Sequence, residues 1–153
     1  IYLPHFSSLL QNSSINITVD KNIFEWLKVH YLQQAITAGV IAEYGSFENV
    51  ITNPNAIKKM VLAFREGIQV CRLLGVRTYR IFPAYLFNLP VFLIARILQK
   101  MFSEQNTLDM IINHMKKGYS EWVVGYREVL NAGRSLGLPM SVWGSYEKYI
   151  DLT

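Results

Sequence analysis

The chain has 153 residues, 51% of them apolar and 17% charged, a balance that excludes a disordered chain and suits one domain with its own core. Its net charge of +4 is scattered through Lys58 and Lys59, Lys116 and Lys117, and Arg72, Arg77 and Arg80, which argues against a nucleic-acid surface. The lone cysteine, Cys71, excludes a disulfide framework and a thiolate metal site, and it points to a reducing cytoplasm.

In chain order, residues 1 to 19 contain "LLQNSSINITV", which reads as an added strand or an extended segment. The glycosylation sequons "NSS" and "NIT" there are patterns common by chance. Asp20 is placed to cap a helix running to about Glu43, which Gly45 closes in the left-handed conformation. "GSFENVITN" then reads as a loop. "NPNAIKKMVLAFREGIQVCRLLG" carries the clearest helix signals, with Asn53 as N-cap, Pro54 at the first helical position and Gly75 at the stop. Ile57, Val61, Phe64, Ile68 and Cys71 recur there at steps of three and four.

The most apolar stretch, "IFPAYLFNLPVFLIARILQKMF" at 81–102, is interrupted by Pro83, Asn88, Pro90 and Arg96. It falls short of the roughly 18 clean residues of a membrane span, and a buried helix pair with a proline-punctuated entry is expected instead, with a helix from about Pro90 to Met101. Ser103 is expected to cap the next helix, ending near His114 or Lys116. "GYSEWVVGYREVLNAGRSLGLP" follows as a separate helix stopped by Gly137 and Pro139, and "MSVWGSYEKYIDL" as a last amphipathic one. No period-two alternation persists and no glycine-rich phosphate loop occurs. The expectation is an all-α domain over residues 1–153, with six or so helices.

The histidines at 5, 30 and 114 show no metal-ligand spacing, and no HExxH or CxxC occurs. Lys28, in "FEWLKVHYLQQAI", shares a helical face with Phe24, Tyr31, Leu32 and Ala35. Two readings stand side by side. The stem can cover apolar surface while the ammonium reaches water. Alternatively, the lysine sits partly desolvated at a cleft, its pKa lowered so that it trades a proton near neutrality, beside a carboxylate or a substrate anion. Glu121, in "GYSEWVVGY", is a candidate carboxylate, although its place near a helix start also suits the dipole.

The order of these pieces resembles the C-terminal domain of the ketopantoate reductase (2-dehydropantoate 2-reductase) family. Residues 20–76, "DKNIFEWLKVHYLQQAITAGVIAEYGSFENVITNPNAIKKMVLAFREGIQVCRLLGV", are similar to that family's W-x-K helix, its loop and its glutamate-bearing helix. "NHMKKGYSEWVVGYREVLNAGRSLGLPMSVWGSYEKYI" is similar to its second signature, with glycines leading to G-x-P and a closing helix. The resemblance spans about residues 8 to 150. It implies the multi-helix fold of ketopantoate reductase and 6-phosphogluconate dehydrogenase-like proteins, in a cytoplasmic enzyme of the pantothenate-pathway type. NADP would be bound by an N-terminal Rossmann domain outside these residues, and hydride would pass to a 2-oxo acid or related carbonyl compound. Lys28 falls on the family's general acid and Glu121 on the glutamate that orients substrate. The substrate-binding positions fall near Ser46, Asp109 and Asn113, which replace asparagine, serine and aspartate. Leu32 and Ile36 stand where the family has two further asparagines. These replacements carry the alternative: a non-catalytic helical interaction or dimerisation module that keeps the fold. The partners implied are the Rossmann domain, the carbonyl substrate and a second copy of the chain, with neither nucleic acid nor membrane expected.

Overall fold

A computed structural model describes residues 21–152 together with Ser8 and Leu10. Among them the protein is all helix and turn, with no strand. The readings made for residues 1 to 19, the Asp20 cap and His5 lie outside the described residues.

Helix α1 (Ile23–Tyr44) is the axis of the fold. Its second half carries Ala35, Ile36, Ala38, Gly39, Val40 and Ile41, all buried. An all-round apolar helix has to be surrounded, and α1 packs against α2 (Phe47–Thr52), α3 (Pro54–Leu73), α5 (Gln105–Ser135) and α6 (Glu147–Ile150). Helix α4 (Val91–Phe102) lies against α3 and α5. Short 3₁₀ turns at Thr78–Arg80, Ala84–Asn88 and Gly144–Tyr146 complete the path.

The local signals of α3 act as their chemistry dictates. Asn53 Oδ1 accepts from the Asn55 and Ala56 amides at 3.0 and 3.3 Å, and Pro54 occupies the first turn. Gly75 takes φ +81° just past the end. There its amide donates to Arg72 O while Val76 N reaches Cys71 O, the paired bonds that satisfy last-turn carbonyls. Gly45 also turns left-handed and donates to Ile41 O, closing α1.

Four expectations about elements are corrected. The stretch "GSFENVITN" is not all loop. Ser46 Oγ accepts from Asn49 N at 3.2 Å and starts α2, whose Phe47 and Val50 are buried. The helix expected to end near His114 does not end there. α5 runs unbroken for 31 residues, because Leu108, Ile111 and Met115 pack on the core and hold the first half in register with the second. Ser103 caps nothing at its start; its hydroxyl donates back to Gln99 O, finishing α4. The last amphipathic helix reduces to a 3₁₀ turn and the one-turn α6.

One hydrophobic core joins these elements. Its centre is Trp143 and Tyr126, both fully buried, with ring centroids 5.7 Å apart. Tyr126 Oη donates to Trp143 O at 2.6 Å, and Trp143 Nε1 donates to Tyr126 O at 3.2 Å. Glu66 on α3 accepts from the amides of Val142 and Trp143, at 3.0 and 2.7 Å, which ties the chain end to the bundle. Among the described residues, no helix is long and apolar enough to cross a membrane.

Candidate functional site

Lys28 stands on the second turn of α1, where the helix leaves the core. The stripe it shares runs from buried Ala35 and Leu32 through half-buried Tyr31 to Phe24, which is 76% exposed. Lys28 is itself exposed, and Ile23 and Leu27 beside it are 41% and 46% exposed. A cation ringed by uncovered apolar side chains is a surface suited to a covering partner. The stripe is core at one end only.

The end of α1 is held in place by a specific anchor. Glu25 accepts from Arg77 at 2.7 Å through Nη2 and at 2.9 Å through the backbone amide, and Arg77 also donates to Asn22 Oδ1 at 2.8 Å. Arg77 holds the Glu25 carboxyl below its ordinary value through these hydrogen bonds. Trp26 stacks on His30 one turn along, with centroids 4.8 Å apart.

Helix α5 passes beside this region. Tyr31 Oη donates to Glu128 Oε2 at 2.7 Å, and the Tyr31 ring fits against Gly125, where a Cβ would lie 2.9 Å from the ring and hydroxyl. Burial, the bond to Glu128 and the charges of Glu128 and Glu121 push the Tyr31 hydroxyl up to about 12. Tyr31 is therefore a neutral donor at physiological pH. Glu121 is exposed, within electrostatic reach of Tyr31. It lies mid-helix on α5 and not in a first turn, so the dipole reading of this glutamate is withdrawn. Lys28 and Glu121 form neither an ion pair nor a hydrogen bond with each other. The Lys28 charge is felt by Cys71 on α3, whose thiol burial pushes up to about 11 against the opposing pull of Lys28.

The remaining expected residues are spread along the bundle. Ser46 caps α2 at the far end of α1 from Lys28, about 25 Å along the axis at 1.5 Å per residue. Asp109 and Asn113 are exposed on successive turns of α5, with Asp109 accepting from Gln105 at 2.8 Å. Glu121 is about 18 Å further along that helix than Asp109. Leu32 and Ile36 are each 2% exposed and belong to the core.

Among the described residues, no group of three or more His, Cys, Asp or Glu side chains is placed to hold a metal ion. Nor do those residues contain the strand and glycine-rich turn that cradle a dinucleotide pyrophosphate in a Rossmann domain. Sequence reading passed over a cleft of about 250 Å³ beside α3, lined by Arg65, Ile68, Gln69, Arg72, Phe87 and Asn88. The spacing of Arg65, Gln69 and Arg72 marks one helix flank, but the opposite wall comes from an aperiodic 3₁₀ segment. Compared with models of protein families, with curated proteins and with solved structures, the chain matches none.

Proposed function

We propose that this chain is the helical substrate and dimerisation domain of a cytoplasmic, NADP-dependent reductase of the ketopantoate reductase type, acting on a 2-oxo acid or related carbonyl compound. The observation that carries the reading is the Lys28 surface, an exposed cation set among the uncovered Ile23, Phe24 and Leu27. A nucleotide-binding domain covering that surface would desolvate the ammonium at an interdomain cleft and supply the hydride. In this reading Lys28 delivers a proton to the carbonyl oxygen as hydride reaches the carbon, and the ammonium is left as an amine. Glu121 orients the substrate from α5, with Tyr31 as a neutral donor between the two helices.

A second reading is favoured by Leu32 and Ile36. A site that binds an oxoacid through side-chain amides depends on those donors, and here both positions are core. On this reading the same uncovered surface is a docking face of a non-catalytic module.

The native polypeptide carrying this chain tests both. It should oxidise NADPH with a member of a 2-oxo acid panel, and Lys28→Ala should lower kcat/KM by about 100-fold, with Lys28→Arg failing to restore it. Unchanged activity in Lys28→Ala removes the lysine from the chemistry. No turnover with any oxoacid, from protein that still binds NADPH, leaves the docking module.

A further inference from the structure

The flank of α3 that carries Arg65, Gln69 and Arg72 faces Phe87 and Asn88 across the cleft of about 250 Å³, whose lining does not include Lys28. Both guanidinium groups are held in place. Arg72 Nε donates to Thr78 Oγ1 at 2.8 Å and its Nη2 to Asn88 Oδ1 at 3.3 Å. Arg65 Nη2 donates to the Leu89 carbonyl. The anchors are neutral, and they leave N–H groups to spare on both side chains. Arg65 Nε is buried, and among the described residues no group accepts from it.

Among the described residues, no carboxylate lines the cleft and neither arginine takes part in an ion pair. Two fixed cations sharing one cleft repel each other, and a half-buried guanidinium with an unmet N–H is costly. An arrangement of this kind is compensated by an anion with several acceptor oxygens. The planar fork of arginine matches carboxylate and phosphate geometry in two-point contacts. Gln69 and Asn88 add amide donors at the mouth, and buried Ile68 and Phe87 supply an apolar wall.

We propose that this cleft binds a small oxyanion, a phosphate or carboxylate group carried by a compact molecule, between Arg65 and Arg72. The site is independent of the Lys28 surface and of the reaction proposed there.

The test is calorimetric titration of the protein with inorganic phosphate and, separately, with succinate, at constant ionic strength set by chloride. Saturable one-to-one binding of at least one of them is expected, and their relative affinity identifies the preferred group. Arg72→Gln should weaken binding at least about tenfold. Because Arg72 also anchors Thr78 and Asn88, Gln69→Glu provides the second variant. It places a carboxylate in the mouth from an exposed position and should abolish binding by like-charge repulsion while the circular dichroism spectrum is unchanged. Absence of saturable binding above the chloride background overturns the proposal, as does binding of equal strength in folded Gln69→Glu.

Discussion

At the scale of single residues, polar groups inside the core are matched with few exceptions, and the matches are reciprocal. Tyr126 and Trp143 each donate a side-chain hydrogen to the other's backbone carbonyl while their rings stack. Removing the hydroxyl keeps the shape and leaves the Trp143 carbonyl with the Tyr146 amide, at 3.2 Å, as its remaining donor, so Tyr126→Phe should lose about 1 kcal/mol in urea unfolding. A change below a few tenths would mean that the Tyr146 amide alone satisfies the carbonyl. Lys28 shows the limit of reasoning from residue types. Its neighbours in sequence define an apolar stripe, and spacing alone makes that visible. Whether the stripe is covered depends on which elements pack there, and at the start of α1 they leave Phe24 and Leu27 exposed. The cleft at Arg65 and Arg72 was harder still to read. Its second wall is a 3₁₀ segment with no hydrophobic period to announce it.

At the scale of elements, legibility followed the locality of the signal. Asn53, Pro54 and Gly75 act on their own backbone, and α3 begins and ends where they say. The break expected after His114 or Lys116 does not occur. A glycine ends a helix by turning left-handed, as Gly137 does at φ +76°, whereas Gly118 stays within α5. The cost of a mid-helix glycine, about 1 kcal/mol, is small beside the packing of Leu108, Ile111 and Met115 on the core. The short α2 escaped notice because six residues are too few to establish a period. Gly125 has a different role, admitting the Tyr31 ring to the surface of α5. Gly125→Ala gains helix propensity but drives a methyl into that ring. A net loss of roughly 1–2 kcal/mol is expected, along with a weakened Tyr31–Glu128 bond. Equal or greater stability on thermal unfolding would show that α1 and α5 part easily.

At the scale of the whole molecule, the titrating groups define a stability plateau. Glu25 and Glu147 are held below their ordinary 4.5 by hydrogen bonds from Arg77 and Arg134. A lowered carboxyl contributes stability above its unfolded value, and that contribution is lost as pH falls through the lowered one. Both groups are solvated, so the acid decline from them should be shallow. The alkaline side is steeper. Burial raises Cys71 from 9.0 to about 11 and Tyr31 from 10.0 to about 12, and it raises Tyr126 and Tyr146 as well. These groups favour the folded state fully while they are neutral in both states. That advantage fades once the unfolded chain ionises above about pH 9. Melting temperature should therefore be flat from about pH 5 to 9 and fall beyond, and an alkaline limb no steeper than the acid one would contradict this ordering. The same burial pattern gives the protein an optical asymmetry. Trp143 is sealed, Trp122 is 8% exposed and Trp26 is 39% exposed. Acrylamide should therefore quench one emitter of three, the one two residues from Lys28, and anything that settles on that surface would darken or shield a single, addressable lamp.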